Sequence, residues 1–160
     1  MTLIVQPERF SFRSRPIAVP GDLRIEWRVS LIVLMLGYSR AKQASLAKLH
    51  ILNDAIRASR SEHLLELVVK AKPGRMPWTF RVEPAFGRAV DFVVGDKLAG
   101  WTTTADRSAL QLTVQGVRLF EALARDSELL TSEKVVLAKY AKAMTESMVT
   151  AVLSAARRAT

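Results

Sequence analysis

The sequence predicts an α+β fold, mostly helical, with a small β-wing and a long C-terminal helix. Three observations carry that prediction. Residues 78–124 read as a short strand, a helix opened by Pro84, two β-prone runs, and a helix beginning near Leu112-Thr113-x-x-Gly116. Beyond Ser30, residues 31–36 are apolar without a break, as a helix surrounded on every side would be. Leu137, Ala141, Met144, Met148, Ala151 and Ala155 follow a 4-3-4-3-4 spacing, the seam of a helix packed along another. The order strand, helix, hairpin, helix is the helix–wing half of a winged-helix domain. The chain then divides into an N-terminal arm (1–21), a winged-helix domain (22–126) and a C-terminal helix (127–160).

Pro7, Pro16, Pro20 and Gly21 exclude a long helix from the arm, where Phe10 and Phe12 alternate with Arg9 and Arg13. Asp22 is placed to cap a helix over 23–36 that Gly37 ends as a C-cap. A second helix is expected over 44–58, with Leu46, Leu49, Leu52 or Asn53, and Ile56 inward. A third follows Ser59 or Ser61 and runs to about Lys72, where Pro73, Gly74 and Pro77 break the chain. Trp78-Thr-Phe-Arg-Val82 alternates in the strand manner. Pro84 suits a first helical position, and Phe86, Ala89, Val90 and Val93 make an inward face down to Gly95. Residues 98–104 and 109–112 are the hairpin strands, with 105–108 as the turn. The helical period returns at Val114 with Val117, Phe120, Leu123 and Ala124 inward. After a break marked by Asp126, Ser127, Thr131 and Ser132, one helix is expected over 133–156.

Composition narrows the functional classes. A 49% hydrophobic content over 160 residues supports a real core. The absence of Cys removes disulfides, thiolate metal ligands and cysteine nucleophiles, and fits a reducing compartment. No signal peptide is read at the N-terminus, and the apolar run is far short of the about 20 residues of a membrane helix. The expectation is a cytoplasmic protein with no membrane contact. The net charge is +9, and most of it lies in residues 37–82, which carry nine basic and three acidic groups. Residues 83–131, the wing half, carry five basic and seven acidic.

Catalysis finds no support. Neither G-x4-G-K-[ST] nor G-x-G-x-x-G is present. His50 stands four residues before Asp54 on one helix, the spacing of a structural pair, and His63 lies thirteen residues further on. No catalytic residue, metal ligand or cofactor site is assigned. For DNA, base readout through the helix at 84–95 wants Arg, Lys, Asn or Gln on its exposed face. That face offers Arg88 beside Asp91 and Phe92. A basic face of Arg40, Lys42, Lys48, Arg57, Arg60, Lys70, Lys72, Arg75 and Arg81 is the candidate for phosphate or for an acidic protein partner. Its plainer reading is a solvated surface. Phe92, Leu137, Met144, Met148 and Val152 are candidates for partner contact, their plainer reading being the chain's own core.

The runs Pro20-x-Asp22-Leu23-Arg24-x-x-Trp27, Ser45-Leu46-x-x-Leu49-His50-x-Leu52-Asn53 and Ala109-Leu110-x-Leu112-Thr113-x-x-Gly116 resemble the small middle components of bacterial ABC-type three-component systems, among them Lamassu-like antiphage defence. The resemblance covers about residues 16–155. It implies a non-catalytic winged-helix adaptor between an SMC-like ATPase and an effector such as a nuclease. It is similar in that to the winged-helix accessory subunits of SMC complexes. The alternative is a dimeric transcriptional regulator of the PadR or MarR kind. A regulator would use the last helix to form a homodimer and would want basic residues over 83–107, where three basic and four acidic groups stand.

Overall fold

A computed structural model describes residues 24–58, 61–70 and 82–158. Helix α1 (Ile25–Tyr38) is the centre. Leu31 to Leu36 are all fully buried, because α4 (Pro84–Gly95), α5 (Val114–Arg125), α6 (Thr131–Tyr140) and the sheet pack around them. The predicted cap Asp22 lies outside the described residues, and Arg24 holds the N-cap position with no side-chain bond. Gly37 is not a C-cap as expected, for α1 runs through it to Tyr38. Its hydrogen is needed for clearance: a Cβ would overlap the Phe120 ring of α5, which stands edge-on to Tyr38 at 5.2 Å.

After a 3-10 turn at Arg40–Lys42 comes β1 (Gln43–Ser45), a strand the sequence did not announce. Ser45 ends β1 and caps α2 (Leu46–Arg57), its hydroxyl accepting the Lys48 amide at 3.1 Å. Helix α3 (Ser61–Val69) follows. The predicted strand at 78–82 lies outside the described residues except for Val82, which is exposed and irregular. Helix α4 has the bounds expected of it, with Pro84 in the first turn and Phe86, Ala89, Val90 and Val93 buried.

Strands β2 (Ala99–Thr104) and β3 (Arg107–Leu112) are joined by Ala105 and Asp106, both at positive φ. The turn is thus two residues, of the primed kind whose twist suits a hairpin, and not the four residues 105–108. The sheet order is β1-β3-β2, antiparallel throughout, with Ala44 opposite Leu110 and Trp101 opposite Leu110 on the other side. Thr113 then does three things. Its hydroxyl donates to the Lys97 carbonyl at 2.6 Å and accepts the Gly116 amide at 3.1 Å, and its own amide donates to the Leu98 carbonyl at 3.0 Å. Gly116 lies so close that a Cβ would overlap the Leu98 carbonyl oxygen. The Leu-Thr-x-x-Gly motif is therefore a junction between the entry to β2 and the start of α5.

The single helix expected over 133–156 is two helices. Helix α6 ends at Tyr140 and α7 (Glu146–Arg158) starts after Thr145, whose hydroxyl accepts the Met148 amide at 3.3 Å. Leu137, Tyr140, Ala141 and Met144 all face inward across the break, and Val149 and Val152 join the same core as α1. The chain turns between the helices so that both keep their apolar sides on that core. Buried side chains from before and after residue 126 belong to one core. No helix among the described residues is long and apolar enough to cross a membrane.

Two glycine substitutions should part company in chemical denaturation. Gly116→Ala forces Leu98 and α5 apart and should destabilise by about 3 kcal/mol. Gly87→Ala, on the open face of α4 with nothing within 4 Å of the new Cβ, should stabilise by about 1 kcal/mol.

Candidate partner and nucleic-acid interface

The face of α4 turned to solvent carries Gly87, Arg88, Asp91, Phe92 and Gly95. It is aimed by Glu83, the residue before Pro84. The Glu83 carboxylate accepts Arg28 of α1 at 2.8 Å and also pairs with Arg57 at the end of α2. Arg28 is 2% exposed, so its charge is held inside the protein by that carboxylate. Glu83 consequently makes no side-chain cap on α4. One turn on, Phe86 packs on His50 with ring centroids 4.8 Å apart. His50 Nδ1 is buried without a hydrogen-bond partner, and burial lowers the imidazole pKa. His50 is thus turned to an aromatic neighbour, a structural role.

The opposed charges of Arg88 and Asp91 leave the α4 face electrically neutral, and Phe92 is 52% exposed on it. In the hairpin, Arg107 is engaged by Glu146 at 3.3 Å and by the Thr150 hydroxyl, so it is tied to α7. Trp101, on β2, is 54% exposed. The sequence reading passed over Trp101, although a tryptophan in an uncharged strand was the signal for it.

Among the described residues, the basic set loses Lys48 and has most of its other members engaged within the chain. Lys48 is 3% exposed and sits inside, beside Glu146 and Arg40. A buried amine cannot contact phosphate from outside, so Lys48 is removed from the set. Arg57 is engaged by Glu83 and Lys70 by Glu66 at 2.6 Å. Lys42 lies over the Phe120 ring, 5.0 Å from its centroid. Arg40 is exposed and donates to the Lys142 carbonyl at 3.2 Å. Arg60, Lys72, Arg75 and Arg81 lie outside the described residues.

The apolar set is corrected in the same way. Leu137, Met144 and Val152 are buried in the chain's own core, and Met148 is packed against it. Their seam is occupied from within. Phe92 alone of that set stands exposed. An open groove of about 800 Å³ between the start of α1 and the end of α5 is lined by Trp27, Leu123, Leu129 and Leu130, with Arg24 and Glu26 as its charged residues. Among the described residues no group of three or more His, Asp or Glu side chains could hold a metal ion.

Glu146 is the hub the sequence concealed. One carboxylate oxygen accepts the Ser45 amide at 3.1 Å and the other accepts Arg107. The N-terminus of α7 is thereby fixed to β1 and β3 at once. Comparison of the chain with protein-family models, curated proteins and solved structures found no match.

Burial pushes the Lys48 amine down to about 8, with Arg40 adding to the fall and the Glu146 carboxylate opposing it. The folded protein releases that proton near pH 8, whereas the unfolded chain holds it until 10.5. Lys48 therefore destabilises the fold fully below about pH 8, and the effect fades as pH rises toward 10.5. Lys48→Met should raise the melting temperature at pH 7, and the gap between variant and parent should narrow between pH 8 and 10.5. Thermal melts followed by circular dichroism across that range check both.

Proposed function

We propose that this chain is a winged-helix adaptor subunit, a non-catalytic bridge between a large SMC-like ABC ATPase and an effector in a DNA-sensing antiphage complex of the cytoplasm. The observation that carries the reading is the solvent face of α4. In a winged helix the element before the hairpin is the usual groove reader. The order α1-β1-α2, then α4-β2-β3, with β3 between β1 and β2, supports that assignment for α4. A groove reader presents cations and amides to base edges. This helix presents one cation beside one anion, two glycines and a half-exposed phenylalanine. Such a face suits a protein surface: an aromatic anchor to fill a pocket, and glycines that let another backbone come close. The resemblance described for the sequence supplies the class of partner. Non-specific contact with DNA phosphates falls to Arg40 and Lys42, at the turn before β1.

A dimeric regulator would use a basic reading helix and a free last helix. Here the first is neutral and the second is packed on its own core. A tagged chain captured from its native host, with bound proteins identified by mass spectrometry, tests the adaptor reading. The expected result is a large ATPase with coiled-coil arms, retained by the parent and lost with Phe92→Glu. Enrichment of one operator-like DNA sequence with no ATPase would establish the regulator instead.

A further inference from the structure

Among the described residues, the sheet order leaves β2 paired on one side only, with β3. The two-residue turn decides which backbone groups face the other side. It closes on Thr104 and Arg107 as a hydrogen-bonded pair, and such pairs alternate along an antiparallel ladder. Thr102 with Ala109 and Gly100 with Gln111 are in phase with it. The Thr113 amide on the Leu98 carbonyl, at 3.0 Å, continues the same phase. Ala99, Trp101 and Thr103 therefore direct both N–H and C=O to the open edge. Among the described residues no backbone hydrogen bond beyond the β2–β3 ladder reaches those groups.

Open edges are ordinarily guarded by lysine, proline, a bulge or a covering element. From Leu98 to Ala105 there is no charged residue and no proline, and the six-residue register with β3 runs without a bulge. The strand is made of tryptophan and three threonines beside Ala99 and Gly100, and the threonines and tryptophan favour extended structure. The unguarded edge is complementary to itself. We propose that β2 pairs antiparallel with β2 of a second copy of this chain, about a two-fold axis at Trp101, to give one continuous six-stranded sheet. In that register Trp101 faces Trp101 of the second copy, and Ala99 faces Thr103 in both directions. Every outward N–H then meets an outward C=O, and the exposed indole gains an aromatic neighbour.

Charge chooses the occupant. Between two copies of a chain of net charge +9 a contact is least opposed on a strip without charge, and β2 is one. An acidic peptide would gain nothing from that strip. The pairing is isologous, and it closes at two copies. It does not depend on the α4 reading, since Phe92 and the β2 edge are separate groups.

Sedimentation velocity on the full chain over a range of concentrations reads the proposal directly. The expected result is a concentration-dependent dimer, with slowed hydrogen exchange at the Ala99, Trp101 and Thr103 amides as the dimer forms. Thr103→Pro removes an outward N–H and leaves the ladder to β3 intact, so it should fold and sediment as a monomer. Should that proline disturb folding, Trp101→Lys at the exposed position sets two lysines face to face and should likewise give a monomer. A parent chain that is monomeric at every concentration would overturn the proposal. So would a dimer that persists in a folded Thr103→Pro or Trp101→Lys variant.

Discussion

The arrangement of helices depends on one carboxylate. Glu83 joins Arg28 from the central helix to Arg57 from the end of α2, and it does so at the residue that starts α4. Arg28 lies three residues before Leu31–Leu36, a run that is wholly apolar and wholly buried. A guanidinium in that position needs a counter-charge, and removing the partner of such a buried charge costs on the order of 3–5 kcal/mol. The attraction works against desolvation, for Arg28 Nε is buried without a hydrogen-bond partner. Apolar packing alone would hold α4 against α1. The ion pair adds direction, since it pins the first turn of α4 and so decides which residues of that helix are left outside.

Glu146 does at the start of α2 what Glu83 does at its end. It ties α7 to β1 through the Ser45 amide and to β3 through Arg107. The same serine caps α2, so the strand, the helix after it and the last helix share one short polar contact. This explains why the seam of Leu137, Met144 and Val152 is closed. A free terminal helix with that pattern would be an invitation to a partner. Held by Glu146, it becomes part of the core around α1.

What the sequence made legible follows from the range of each interaction. Helix α4 could be read to its ends because its signals are local: a proline in the first turn and a 3.6-residue period of apolar residues. The hairpin strands were read for the same reason, although Ala105 and Asp106 at positive φ gave no glycine to mark so short a turn. Strand β1 is three residues long and exists only because β3 pairs with it, so no period could show it. The break between α6 and α7 hid behind a spacing that stays inward through Ala141 and Met144, and the capping hydroxyl of Thr145 was the one sign of it. The buried place of Lys48 and the engaged places of Arg57 and Lys70 in the basic set were hidden for a different reason. A count of lysines and arginines carries no information about which ones have partners, and the partner of Arg57, Glu83, lies two elements further along the chain. The apolar seam failed likewise, because the same pattern serves a partner and the chain's own core.

These corrections sharpen the surface that remains. Once Lys48 is inside and Arg57, Lys70 and Arg107 are engaged, the charge of this chain says less about DNA than its sum suggests. Once the last helix is in the core, two candidate features stand out: an electrically neutral helix face bearing Phe92, and an uncharged strand edge bearing Trp101. Both are features that stability alone would remove, since a charge at either position would suit water better, and alanine at Gly87 would favour the helix. Half-exposed aromatic side chains next to small or threonine neighbours favour shape and backbone pairing over charge. On the described surface, the neutral face of α4 and the edge of β2 are therefore the features that favour the proposed contacts with other polypeptides.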